Sequence, residues 1–273
     1  MERSAIMKIG FIGTGNMASA LIRGFHRNFE NDALALFLYD KNSEKAAALA
    51  KECPAKVMRS SEELIRQADI VFIAVKPDVV KPLLASLQGV LAAEKPLIVS
   101  IASGVTLDNL EAYTGGGLSI IRIMPNINAL VGASVTALCA NQSVKDEEKK
   151  IISNLMQSVG MVFPLEEKFF SVFVGIAGSA PAYAYLFIDA LARGALKNGL
   201  DKKTAVDIAA AALLGSAQML LKSGSEPWPL IDTVSSPGGT TVAGICKLEE
   251  KGFVHAVIAA VDETIKKDEE LNS

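Results

Sequence analysis

The sequence predicts an α/β chain: a doubly wound parallel sheet followed by an all-helical C-terminal domain. Three observations carry this. Short apolar runs alternate with helical patterns as far as Phe163, which is the signature of successive β-α units. Runs such as Ile70–Val75 and Leu97–Ile101 are apolar almost throughout, as in strands covered on both faces. From Glu166 onward no convincing strand is found, and long alanine-rich helical patterns take over.

The elements follow in order. Met7–Ile12 reads as a buried strand and Asn16–Asn28 has helical spacing. Leu34–Tyr39 is a second strand and Ser43–Cys53 a helix rich in alanine. After Ile70–Val75 and Leu97–Ile101, Ser119–Ile123 and Ser134–Cys139 continue the strands. A helix over Lys145–Val159 and a short strand at Met161–Phe163 close the series. Then Ala182–Asn198, Lys202–Lys222, Thr241–Glu250 and Phe253–Glu270 read as helices. Two domains are expected, residues 1–163 and 164–273. Ala205–Leu221 is apolar nearly all round, more than a bundle of about a hundred residues hides alone, so a subunit interface is expected.

Composition excludes several classes. A formal net charge of −3 with interspersed signs gives no basic face for nucleic acid. Cys53, Cys139 and Cys246 are odd in number and lack C-x-x-C spacing, so free thiols are expected rather than disulfides. With only His26 and His255, no metal is expected. No secretory leader is read at the N-terminus, and the cytoplasm is the expected location. Phe169–Ile188 is uncharged over twenty residues, long enough to span a bilayer, yet it holds Gly175, Gly178 and Pro181. A helix buried between subunits is the preferred reading, with no membrane.

Gly13-Thr14-Gly15-Asn16-Met17-Ala18 fits G-x-G-x-x-A between a strand and a helix, the Rossmann dinucleotide fingerprint. The first glycine permits the tight turn, the second admits a pyrophosphate, and Ala18 lets helix and strand approach. Asp40 closes the second strand, where an acid bonds a ribose 2′-hydroxyl, but Lys41, Asn42 and Ser43 follow and could receive a 2′-phosphate. The choice between the two cofactors stays open here, with NADPH expected and NADH as the alternative. Ala74-Val75-Lys76-Pro77 and Ser100–Gly104, including Ser103, end strands and so line the same cleft, although Lys76-Pro77 also fits a plain helix start.

Met124-Pro125-Asn126 ends another strand, and Ser235–Gly244 reads S-S-P-G-G-T-T-V-A-G. With Ile12–Ala18, Ala74–Pro77, Arg122–Asn126 and Gly178–Tyr183, these segments make the chain resemble the Δ1-pyrroline-5-carboxylate reductase family over nearly its whole length. The resemblance implies NAD(P)H-dependent reduction of a cyclic imine carboxylate to L-proline. It also implies a helical domain that interlocks with a second copy as a homodimer, with a higher homo-oligomer open. It places cofactor contacts at Ile12, Gly13, Thr14, Gly15, Asn16, Met17, around Asp40 and Lys41, and at Ser61, Ala74–Pro77 and Met124–Asn126. The substrate carboxylate would meet Ser236, Gly238, Gly239, Thr240 and Thr241, with the Thr241 hydroxyl facing the ring nitrogen and Glu167 near the substrate. The chain departs from the family pattern at Ile127 and Asn128, at Ser171 and Val174, and at Ala180.

This chemistry suits the residues. The cofactor carries the hydride, so the protein supplies orientation and a hydrogen-bond partner for the amine nitrogen, here Thr241. An uncharged hydroxyl does not repel an iminium, and a glycine turn at a helix start offers N–H groups to a carboxylate. The same loop could instead be a capped helix entry. Other readings are a β-hydroxyacid dehydrogenase or another imine reductase, for which Lys197 would be the catalytic lysine, and a nucleotide-binding relative without turnover.

Overall fold

Short β-branched and aromatic runs pair into one eight-stranded sheet among the residues described by the computed structural model, 6–29 and 33–272. β1 (Met7–Ile12), α1 (Asn16–Asn28), β2 (Leu34–Tyr39), α2 (Ser43–Glu52), β3 (Lys56–Val57) and α3 (Ser61–Ile65) form the first half. β4 (Ile70–Ile73), α4 (Pro77–Glu94), β5 (Leu97–Ser100), α5 (Leu107–Thr114) and β6 (Ile120–Met124) form the second. A 3₁₀ turn at Ile127–Val131, then β7 (Ser134–Ala140), α6 (Asp146–Gln157) and β8 (Gly160–Pro164) extend the sheet. The strand order is β3-β2-β1-β4-β5-β6-β7-β8.

The doubly wound reading holds from β1 to β6, where every pairing is parallel. The fully parallel expectation fails at β7, which runs antiparallel to β6, while β8 is parallel to β7. The cause is length: parallel neighbours need a crossover of about a dozen residues or more, and residues 125–133 form only a short 3₁₀ link.

Alternation along β4 shows why the runs are continuously apolar. Ile70 and Phe72 face one core with Ile9, Phe11 and Phe25. Val71 and Ile73 face the other, with Val80, Leu84 and Leu110. Phe11 stacks on Phe72 with ring centroids 4.5 Å apart.

Beyond β8 come a 3₁₀ turn at Glu167–Phe169, α7 (Phe170–Phe173) and a π-helical turn at Val174–Gly178. α8 (Ala180–Lys197), α9 (Lys202–Ser223), α10 (Pro227–Thr233), α11 (Thr240–Glu250) and α12 (Phe253–Asn272) follow. The chain divides into two units, one ending at Gly178 and regaining the segment from Lys266, the other Ser179–Ile265. The second unit covers little of its own apolar surface. In α9 only Ala205 and Ala209 are buried, and Leu186 and Leu214 are 70% and 62% exposed. Two segments, Glu167–Lys197 and Lys202–Ser223, have the length and apolarity to cross a membrane.

Candidate active site

The carboxyl ends of β1, β2, β4, β5 and β6 share one edge of the sheet, because these strands are all parallel. Strand order reverses between β1 and β4, and a crevice at such a reversal is where open α/β sheets hold ligands. The glycine loop lies there. Gly13 has φ +100°, and a Cβ on it would fall 2.5 Å from the Ala74 carbonyl oxygen, so no other residue fits. Its N–H donates to the Tyr39 carbonyl at 2.8 Å, while the Ala74 N–H reaches the Ile12 carbonyl at 2.9 Å. Gly15 is the N-cap of α1 without a side-chain cap, and the space beside it is open. Asn16 and Met17 form the first turn of α1. The loop thus offers helix N–H groups beside an unfilled space, which fits a pyrophosphate.

Asp40 is tied to this loop. Its Oδ2 accepts from the Thr14 N–H at 2.7 Å and the Thr14 hydroxyl at 2.9 Å, and Oδ1 accepts from the Asn42 N–H at 2.9 Å. Partial burial pushes the carboxyl up, but these hydrogen bonds, with the Lys45 charge, outweigh it and hold it below the ordinary 3.8. Lys41 is exposed, and Asn42 caps α2 by accepting from the Glu44 and Lys45 N–H groups. Ser61 is buried as the first residue of α3, behind the Ser60 cap.

Lys76 is the N-cap of α4 and Pro77 its first residue, so the plain helix start and the cleft-lining position coincide. Ala74 and Val75 are half-buried at the end of β4. Ser103 is exposed and, with Pro77, Gly104 and Tyr113, borders a hollow of about 540 Å³.

Met124, Pro125 and Asn126 are all buried, and Asn126 explains why their loop holds its shape. Its Nδ2 donates to the Ala177 carbonyl in the π-helical turn at 3.0 Å, and its Oδ1 accepts from the Val135 N–H at 3.1 Å. The Asn126 side chain is therefore an anchor for the loop. Single π turns of this kind recur beside functional sites.

Arg122, four residues before Asn126, carries a role the sequence reading did not assign. It is almost fully buried on β6, its Nη1 donates to Glu167 Oε1 at 2.7 Å, and its guanidinium lies over the Phe170 ring at 4.5 Å. The same Glu167 oxygen accepts from the Leu107 N–H at the head of α5, at 2.8 Å. Glu167 thus binds three elements of the first unit together, a structural job not foreseen for it. The signal was present: an arginine inside the buried run Ile120–Met124 demands a carboxylate partner. Ser171, at a position of departure, donates to Asp268 Oδ2 at 2.8 Å.

In the second unit, Ser236–Gly239 is a turn closed by the Gly239 N–H to the Ser236 carbonyl at 2.9 Å. Gly238 has φ +69°, which suits glycine, whereas Gly239 has φ −78° and is required for another reason. A Cβ there would meet the Ser236 carbonyl oxygen at 2.9 Å as well as its Oγ at 2.6 Å. The N-cap of α11 is Gly239, and no side chain caps it, so the helix entry is not the serine- or threonine-capped kind. Thr240 and Thr241 open the helix, and both are exposed.

A glycine loop at the switch point of a doubly wound sheet defines a dinucleotide-binding protein. Residues 8–104 match a family described as NADP oxidoreductase, coenzyme F420-dependent, and residues 167–271 one described as pyrroline-5-carboxylate reductase dimerisation. The Escherichia coli pyrroline-5-carboxylate reductase is 39% identical over 265 residues, covering 97% of this chain and 98% of that protein. The solved Streptococcus pyogenes 1-pyrroline-5-carboxylate reductase is 38% identical, covers 98% of this chain and 100% of that one, and has a TM-score of 0.86. The Plasmodium falciparum pyrroline carboxylate reductase, solved with NADP bound, is 32% identical with a TM-score of 0.85, covering 98% of each chain. The chain belongs to the pyrroline-5-carboxylate reductase family.

Proposed function

We propose that this chain reduces Δ1-pyrroline-5-carboxylate to L-proline with a nicotinamide cofactor. The observation that carries the reading is the uncapped start of α11, with Thr241 in its first turn, in a chain of this family. Unclaimed N–H groups there suit the substrate carboxylate, since a helix N-terminus favours an anion. A reduced nicotinamide supplies the hydride that the C=N carbon receives. Thr241 orients the ring nitrogen and hydrogen-bonds the amine as it forms, while Ser236, Gly238 and Thr240 hold the carboxylate and Gly239 closes the turn that presents them. On the cofactor side, the Gly13–Met17 loop takes the pyrophosphate. The Ala74–Pro77, Ser103 and Met124–Asn126 loops position the nicotinamide, and Asp40, Lys41 and Ser61 lie toward the adenosine end. In this reading Glu167 acts by fixing Arg122 rather than by touching substrate.

Residues 164–273 are proposed as the substrate-binding and dimerisation domain, with a second copy covering the apolar faces of α8 and α9. That partner accounts for the two bilayer-length segments without a membrane, and the cytoplasm is the proposed site of action. Expression in a bacterial strain lacking its own reductase tests the reading. Growth without added proline is expected; a well-expressed chain that leaves the strain dependent on proline sinks it.

A further inference from the structure

We infer that Asp40 selects against a 2′-phosphate, so that the working cofactor of this chain is NADH rather than NADPH. The inference deepens the reductase reading and rests on it for the identity of the reaction, but its binding arm stands without it.

An ionised carboxylate only accepts hydrogen bonds, at about four lone-pair positions. Three are filled, by the Thr14 N–H, the Thr14 hydroxyl and the Asn42 N–H. What remains suits one more donor. A ribose 2′-hydroxyl is a donor; a 2′-phosphate brings only acceptors and a charge of about −1.5 to −2, as phosphate esters do near neutrality. The carboxyl is held in its charged form by the same hydrogen bonds, so the repulsion persists at neutral pH.

Two of the donors that could offset it are already committed. The Glu44 and Lys45 N–H groups at the head of α2 would suit a phosphate, but both bond to Asn42 Oδ1. Glu44 adds a negative charge to that first turn. The Lys45 charge already acts on Asp40. Lys41 is exposed, and a flexible surface ammonium offsets little beside a fixed carboxylate. One relative is solved with NADP bound, so this discrimination belongs to individual residues rather than to the fold.

Calorimetric titration of the full chain with NADH and with NADPH, beside initial rates on the pyrroline carboxylate, tests this. The wild type is expected to bind NADH about tenfold or more tighter than NADPH. Asp40→Asn keeps an acceptor for Thr14 while removing the charge, and Asp40→Ser removes the carboxylate group. Each is expected to narrow the ratio about tenfold or more, chiefly by improving NADPH. NADPH binding as tightly as NADH to the wild type, or an unchanged ratio in both folded variants, overturns the inference. Selective NADH binding without reduction of the substrate supports it and removes the reductase reading instead.

Discussion

Thr241 carries a hydroxyl on an exposed helix start, with no packing duty to confuse its loss with instability. Thr241→Ala is therefore expected to lower kcat by about 10²-fold, with cofactor affinity within about twofold of wild type. Equal losses in both would contradict its role at the ring nitrogen. Arg122 is the opposite case, a buried charge whose partner is fixed. Arg122→Met leaves the Glu167 carboxylate only partly compensated and is expected to cost about 3 kcal/mol in urea unfolding. The double variant Arg122→Met/Glu167→Gln should recover part of that loss; full additivity would mean the pair is not coupled. Asp40 has a pH signature. Its folded pKa is lowered, so its contribution to stability is present above the unfolded value near 3.8 and lost as pH falls through the folded one. The difference in melting temperature between wild type and Asp40→Asn should be flat near neutrality and shrink in strong acid. Cys139 is pushed up to about 12, by burial first and then by the Glu167 charge against Arg122. It should resist thiol reagents at neutral pH until the chain unfolds, whereas the exposed Cys246 reacts in the folded chain.

The glycine loop and β4 work as one element pair. Gly13→Ala would drive a methyl group into the Ala74 carbonyl oxygen, so it should weaken dinucleotide binding about tenfold or more as well as lower stability. Retained affinity in a folded Gly13→Ala chain would separate the loop from cofactor binding. Most elements were legible because their periodicity was strong: β1, α1, β2, β4 and β5 fall within a few residues of their expected bounds. β3 and α3 were missed, being two and five residues long, too short for a pattern to emerge. α4 was visible only as its Lys76-Pro77 start, and Pro82 within it interrupts the helical signal. The reversal of β7 was hidden because strand direction depends on what the 125–133 link can span, and local apolarity is the same either way. The Asn126 anchor was hidden for a related reason. Its partners, Val135 and Ala177, are brought together only by the tertiary fold.

For the whole molecule, the sequence-level expectation that α9 needs more cover than one chain provides agrees with its exposed apolar residues. A family match described as dimerisation over residues 167–271 supports a homo-oligomer. The domain line drawn at residue 164 follows the end of the strands, whereas the contact-based units part at Gly178, because α7 and the π-helical turn pack with the sheet. What made the function legible was the combination of a Rossmann loop with the Ser236–Thr241 turn, two signals of different specificity in one chain. The account is tested most directly by mixing the purified full chain with Δ1-pyrroline-5-carboxylate and either NADH or NADPH. Cofactor absorbance and proline are then followed together. Oxidation of one cofactor per proline formed is the predicted result; no oxidation above background with either cofactor would contradict it.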